Sequence, residues 1–540
     1  GAGNPNLLRS VTLETGGTLA VEYTPSTRFA NTFLPQVLHP VTKLTVNDGR
    51  GVVAQTDYAY GGGLYNAKAR KFLGFRTITM TKPAANGEAQ RPVVQTSYRQ
   101  DLASYGLPER TLSRNGENTA SKEVVESYQV NAASKPYWVK NVATDTTLNE
   151  TVTLKLRTER AFDAYGNVTD IKDFGRTDVS GDEVWTLQRY APNTTAYIVS
   201  LPHTKAVVRG HSGTDYLKSE AFHYDGAADA ATSPTKGNLT RHVFHSKRGD
   251  VDNVWKSVTR SYGYDSRGNR VAAVDGAGSR TEWDYDTTYV MFPVKERGPR
   301  YFATGGNTAD TRFVTTTGYD LVCGLPSSKT DANGIIERFG YDPFCRPFAY
   351  THSGSGRYVN TRYDNEGDPT LQAVRTHEPR SSTGSEVIKR TYFDGLGRPW
   401  RSHSPGEPGT GQARVVDTVY DARGNAAKTA HPRFANEAAQ WTTNSYDWQD
   451  RVVRTANPDG SARTNRYQAY ATASSSTNNA VLYQQLSVDE AGRQTATYTS
   501  TYGHVIGQWS HNGTAWILDQ GRTYDPVGRL LNVTDVGGAR

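Results

Sequence analysis

The chain has 540 residues, 61 Lys+Arg against 54 Asp+Glu and a net charge of +7, with no block of five or more basic residues that would form an arm for nucleic acid. Hydrophobic residues make up only 36 % and mean hydropathy is −0.66, too polar for a large solid core yet above a disordered composition. Two cysteines exclude a disulfide-dense scaffold and a multi-cysteine zinc site, and no apolar run approaches the ~18 residues that span a membrane, the longest lying near Tyr289–Val294.

From the N-terminus, residues 1–150 have β character without a regular spelling. The chain opens on Gly-Ala-Gly with neither Met nor a signal-peptide pattern and stops just after Gly537-Gly538, so it reads as a piece of something longer. VNDGRG (Val46 to Gly51) is a hairpin signal. Gly61-Gly62-Gly63 lacks a following Gly-Lys-Ser/Thr, which makes a turn or bulge the expectation instead of a phosphate cradle. A separate, continuous β region is expected over 1–150.

From residue 151 to 540 one spelling recurs: FDAYGN (Phe162), YDSRGN (Tyr264), YDPFCR (Tyr341), YDNEGD (Tyr363), FDGLGR (Phe393), YDARGN (Tyr420) and YDPVGR (Tyr524), with looser copies at Tyr224, Tyr319, Tyr446 and Val488. Starts at Tyr319, Tyr341 and Tyr363 fall 22 residues apart, the mark of one supersecondary unit copied along the chain. Several units carry a second turn signal midway, as at Asp275, Asp331 and Asn457, and RVVRTANPDGSARTNRY (Arg451 to Tyr467) reads as strand, tight turn, strand. Each unit is therefore two strands. The candidate residues are structural: the turn aspartates Asp163, Asp265, Asp342, Asp364, Asp394, Asp421 and Asp525 bond backbone amides beyond them, and Gly166, Gly268, Gly367, Gly397, Gly424 and Gly528 supply positive φ. Each tyrosine is expected to end a strand and stack on the tyrosine of the next copy. Interruptions at 226–236, 303–310, 381–385, 406–412 and 471–479 read as surface loops.

Tyr contributes 32 of the aromatics beside 16 Phe and 9 Trp, and with Thr and Val it is strand-favouring chemistry. The fold class is all-β: a curled antiparallel sheet of hairpins that must stack on their neighbours, enclosing a hollow. Cys323 and Cys345 each lie four residues after a repeat tyrosine, on neighbouring turns, where a disulfide requires Cα atoms within ~7 Å. His242 and His245 point to opposite faces of a strand, no acidic spacing matches a calcium loop, and no catalytic, cofactor-binding or metal site is assigned.

The copies resemble the Rhs or YD-repeat family of bacterial polymorphic toxins, insecticidal toxin-complex B and C components and animal teneurins. The stretches Glu22 to Gly51 and Thr56 to Pro83 look like the middle segment of the toxin-complex B component. The resemblance implies a secreted, non-enzymatic section of a hollow β shell that sequesters a cytotoxic passenger, supplied by a downstream segment or partner chain, with other toxin-complex components as further partners. The family's upstream β-propeller and terminal self-cleaving segment are not visible in the sequence. Aromatic-rich repeats also bind sugars in some relatives, so a cell-surface carbohydrate-binding protein is the alternative.

Overall fold

The computed structural model describes residues 6–247, 254–302, 308–379, 386–406, 413–470, 480–525, 527–535 and 538–539. The interruptions at 381–385 and 471–479, and most of those at 303–310 and 406–412, lie outside them; 226–236 is an irregular loop of turns and bends. Among the described residues, 39 strands form one sheet and Tyr65–Asn66 with Lys71–Phe72 makes a separate hairpin. Pairing between the sheet's strands is antiparallel and follows chain order, most strands being joined to their partner by a turn, although Val53–Gly61 pairs with Thr77–Thr81 across the separate hairpin. Strand Ala413–Tyr420 is an exception: it pairs with Pro399–Pro405, Ala426–Ala430 and the short Arg433–Phe434. The sheet crosses residue 150 without a break, since strand Trp138–Asn149 pairs with Thr153–Phe162 over Ala143–Asn149.

Hairpins form where the sequence spells them. Ala456 faces Ala462 across the turn at Asn457–Ser461, with β-branched residues on both flanks. A further regularity is written only in the backbone: the ladder slips just before the repeat aromatic in six of the seven copies, at Ala161/Phe162, Gly263/Tyr264, Gly340/Tyr341, Tyr392/Phe393, Val419/Tyr420 and Thr523/Tyr524, and runs in register through Tyr363. Such bulges increase the local twist, and their repetition bends the ribbon in one sense.

The sheet is one layer thick. Its accessible surface is 29292 Å², whereas a compact globule of this mass would expose about 19,000 Å². Water therefore reaches both faces over most of the sheet, as the low apolar content demands. Buried apolar clusters occur where distant parts of the ribbon touch: Leu148, Leu154 and Ala469 form one, Val184, Val207 and Leu217 another. Hydrogen bonds at these meetings join residues separated by 282 to 380 positions. They run between turns and strand ends, with no ladder between the laps among the described residues, so the ribbon winds past a full lap and rests the edge of its second lap on the edge of its first.

Candidate functional site at the lap seam

The repeat turn is one hydrogen-bonded unit. In the turn Asp265–Asn269 the aspartate amide bonds the Asn269 carbonyl, Gly268 N–H bonds the Asp265 carbonyl, and Asp265 Oδ1 accepts from the amides of Arg267 and Asn269, both at 2.9 Å. Asp163, Asp342, Asp394, Asp421 and Asp525 accept amides two and four residues on in the same way. Gly268 sits at φ +89° and Gly424 at +90°, with Gly166, Gly367, Gly397 and Gly528 in the same region, where a Cβ is disfavoured. The last motif position has a role that its spelling hid: Asn or Arg there holds the second carboxylate oxygen, as Asn269 Nδ2 does at 3.0 Å and Arg398 Nε at 2.7 Å.

Asp364 departs from the pattern. Its carboxylate pairs with Arg375 at 3.0 Å, and the turn after it is closed by Asp368 N–H on the Asn365 carbonyl. The reason is its copy's ending in Asp368, an anion that cannot hold the second oxygen of Asp364.

The tyrosines do not stack on one another as expected. Successive copies stand two strands apart, about 9–10 Å, beyond ring-stacking range. The hydroxyls of four copies instead donate to a carbonyl at the start of the neighbouring strand: Tyr264 to Leu239 at 3.0 Å, Tyr341 to Pro326 at 2.7 Å, Tyr363 to Pro347 at 3.2 Å and Tyr420 to Pro399 at 2.8 Å. Arginines fill the space between copies, with Arg346 3.9 Å from the ring of Tyr363 and Arg398 4.3 Å from that of Tyr420. Cys323 and Cys345 are joined across neighbouring turns, Cα to Cα 5.4 Å, and Cys345 takes at φ +61° the conformation glycine takes elsewhere.

Along the seam, turns of the second lap meet turns of the first. Arg398 reaches Asp48 at 3.0 Å and Gly395 N–H bonds the Asp48 carbonyl at 2.7 Å. The backbones approach so closely that a Cβ on Gly395 would lie 2.5 Å from Gly17 Cα. Asp421 Oδ2 accepts from Asn86 N–H at 2.9 Å, and Arg423 pairs with Glu88 at 3.3 Å. Farther on, Glu150 takes Arg451 and the Ala469 amide, while the fully buried Arg176 donates to the Val481 carbonyl at 2.8 Å. Burial raises two of the seam acids: it pushes Asp182 up to about 6 and Glu88 above its ordinary value. Asp182 Oδ1 is buried without a hydrogen-bond partner among the described residues, although Oδ2 accepts from Arg176 N–H at 3.0 Å.

Residues 2–106 match the family model described as Insecticide toxin TcdB middle/N-terminal region. The chain resembles the toxin-complex B component. Three solved structures superpose on 98 % of it at 12 % identity: TcdB2-TccC3 with a TM-score of 0.76, the same pair without the hypervariable C-terminal region at 0.75, and the Photorhabdus luminescens Tc holotoxin pore at 0.76. Identity this low speaks for the fold. The chain spans 37 %, 39 % and 38 % of those chains respectively. Nothing among curated proteins matches it. The TcdB-like stretch supplies the first-lap half of the early seam, since Asp48, Asn86 and Glu88 all lie within it.

Asp182 carries a pH prediction. A carboxyl whose folded pKa lies above its unfolded value binds its proton more tightly when folded, so its favourable contribution is complete below about pH 4 and is lost as pH rises through about 6. Asp182→Asn removes that loss. The variant is expected to be more stable than the parent by about 1–2 kcal/mol at pH 7–8, after discounting for solvent screening, and equal to it at pH 4. Paired denaturation curves at both pH values check this, and a gap independent of pH would refute the assignment.

Proposed function

We propose that the chain is a non-enzymatic section of a secreted shell that isolates a cytotoxic passenger and delivers it with other toxin-complex components. The observation that carries this reading is a single-layer sheet, wet on both faces, wound back upon itself. A lap of about 22 strands at ~4.8 Å gives a circumference on the order of 105 Å and a diameter near 34 Å. Such a hollow admits an extended polypeptide. Confinement behind the wall, away from proteases, would keep a passenger unfolded and harmless until release. The passenger is a downstream segment or partner chain, and no nucleic acid is required.

The carbohydrate alternative has less support, because the repeat tyrosines spend their hydroxyls on neighbouring carbonyls, the groups a sugar would need.

Small-angle scattering tests the hollow. A solid chain of this length has a radius of gyration near 24 Å; a clearly larger value, with a distance distribution depleted at its centre, is expected, and a value near 24 Å would sink the reading. Protease protection of an unfolded passenger co-expressed with the full shell tests delivery.

A further inference from the structure

Away from the seam, on one face of the sheet, side chains of like charge stand in a row. Strands Arg357–Asp364, Ala373–Pro379, Glu386–Phe393 and Pro399–Pro405 pair in chain order, and their registers place Arg362 opposite Arg375, Arg375 opposite Arg390 and Arg390 opposite His403. Directly opposed residues share a face and stand one strand spacing apart, so three guanidiniums and an imidazole line up across the strands over about 14 Å. The row continues through Val415 to Arg433. Like charges directly opposite one another destabilise a sheet, so a run of them needs a counter-charge.

The nearby carboxylates supply it only in part. Asp364 takes Arg375 at 3.0 Å, Asp417 is shared by Arg401 and Arg433 at 2.5 and 2.6 Å, and Glu386 is held by the His377 imidazole and the Tyr358 hydroxyl, both at 2.9 Å. Among the described residues Arg362 and Arg390 have no carboxylate within ion-pair distance. Arg390 donates from a terminal nitrogen to the Tyr392 hydroxyl at 3.0 Å, which leaves the tyrosine proton for another acceptor. Its Nε is buried without a hydrogen-bond partner among the described residues, and so are Nε and one terminal nitrogen of Arg433. Burial, and then Arg390 and Arg401, hold the His403 imidazole below its ordinary value, the electrostatic mark of uncompensated positive charge.

We propose that this row binds a compact oxyanion carrying two or more phosphate groups, laid across the strands against Arg362, Arg375 and Arg390 with Tyr392 as a further donor. Charge complementarity selects an anion, and the planar fork of arginine suits phosphate oxygens. The flanking carboxylates set its width. On the same face Asp364 stands two residues along its strand from Arg362 on one side of the row, and Glu386 four residues from Arg390 on the other. A broad anionic surface, such as nucleic acid or a membrane, would meet both, whereas a small polyanion fits between them. Bridging several strands, it would stiffen the wall there whether or not the wall encloses a passenger.

Calorimetric titration of the full chain with inorganic tripolyphosphate, at low ionic strength where screening is weak, tests this. Saturable binding is expected, at least tenfold weaker in Arg390→Gln and in Arg362→Gln, the milder change because that side chain is exposed. Binding should be unchanged in Arg414→Gln, on the reverse face of strand Ala413–Tyr420. Without the anion, Arg390→Gln should raise the denaturation midpoint, since it removes an opposed cation; tripolyphosphate should raise the midpoint of the parent and not of the variant. Nuclear magnetic resonance of the His403 ring gives a second readout, its pKa rising as the anion binds. ATP binding as tightly as tripolyphosphate would make a nucleotide the source of the phosphates, and ATP binding tenfold more weakly would leave free polyphosphate. Equal affinity in the parent and both row variants would overturn the proposal, and so would an equal loss in Arg414→Gln, which would mark attraction to net charge alone.

Discussion

Replacing Cys323 and Cys345 together by serine is expected to cost about 3 kcal/mol of local stability, the loop-closure value for a bridge spanning 22 residues. The bond joins two turns that meet no turn of the other lap among the described residues, so beyond it they are held by their ladders and local contacts such as the Tyr341 hydroxyl on the Pro326 carbonyl. Opening of strands Val314–Asp320 to Pro347–His352 then becomes easier by a factor on the order of 10². Native-state hydrogen exchange should locate the loss there and leave the strands around Asp421 unchanged. Uniform protection across both regions would show that the bridge constrains nothing the sheet does not already hold.

Asp421→Ala is expected to cost about 2–3 kcal/mol. Its carboxylate is buried and accepts the amides of Arg423 and Asn425 within its own turn and that of Asn86 from the first lap. Removing it strands three donors where little water reaches them, and an unmet buried donor costs about 1–3 kcal/mol. Asp265 makes the same two local bonds without a cross-lap partner, and its turn is open to water, so Asp265→Ala should shift the denaturation midpoint distinctly less. Exchange at the Asn86 amide should accelerate in the first variant alone. Matching midpoint shifts would mean that the seam adds nothing to the turn.

Fold class was readable because a 22-residue recurrence of turn chemistry leaves only hairpins, and low hydropathy leaves only a thin sheet. The turn aspartates were readable for the same reason: Asp followed three residues later by Gly has few other uses at a strand end. Asp364 escaped because YDNEGD was grouped with the other copies although its sixth residue is Asp368, where the others carry the cation or amide that fixes the carboxylate. The seam was hidden for another reason. Asp48, Asn86 and Glu150 are single polar residues at ordinary turns, and their partners lie hundreds of positions away, at a distance set by how many strands complete a lap. Nothing local encodes that number. The tyrosine hydroxyls were misread because strand spacing, not aromatic preference, decides what a ring can touch.

Among the described residues no ladder bond closes the lap. A barrel must break a strand pairing to open, but among the described residues this ribbon is held shut by contacts of turns and strand ends at places such as Asp48, Asn86, Glu150 and Asp182. Uncoiling like a clock spring would spare the backbone hydrogen bonds between strands and cost only the seam. Its softest large movement is thus a widening of the bore, in which each hairpin keeps its shape and the inner space changes.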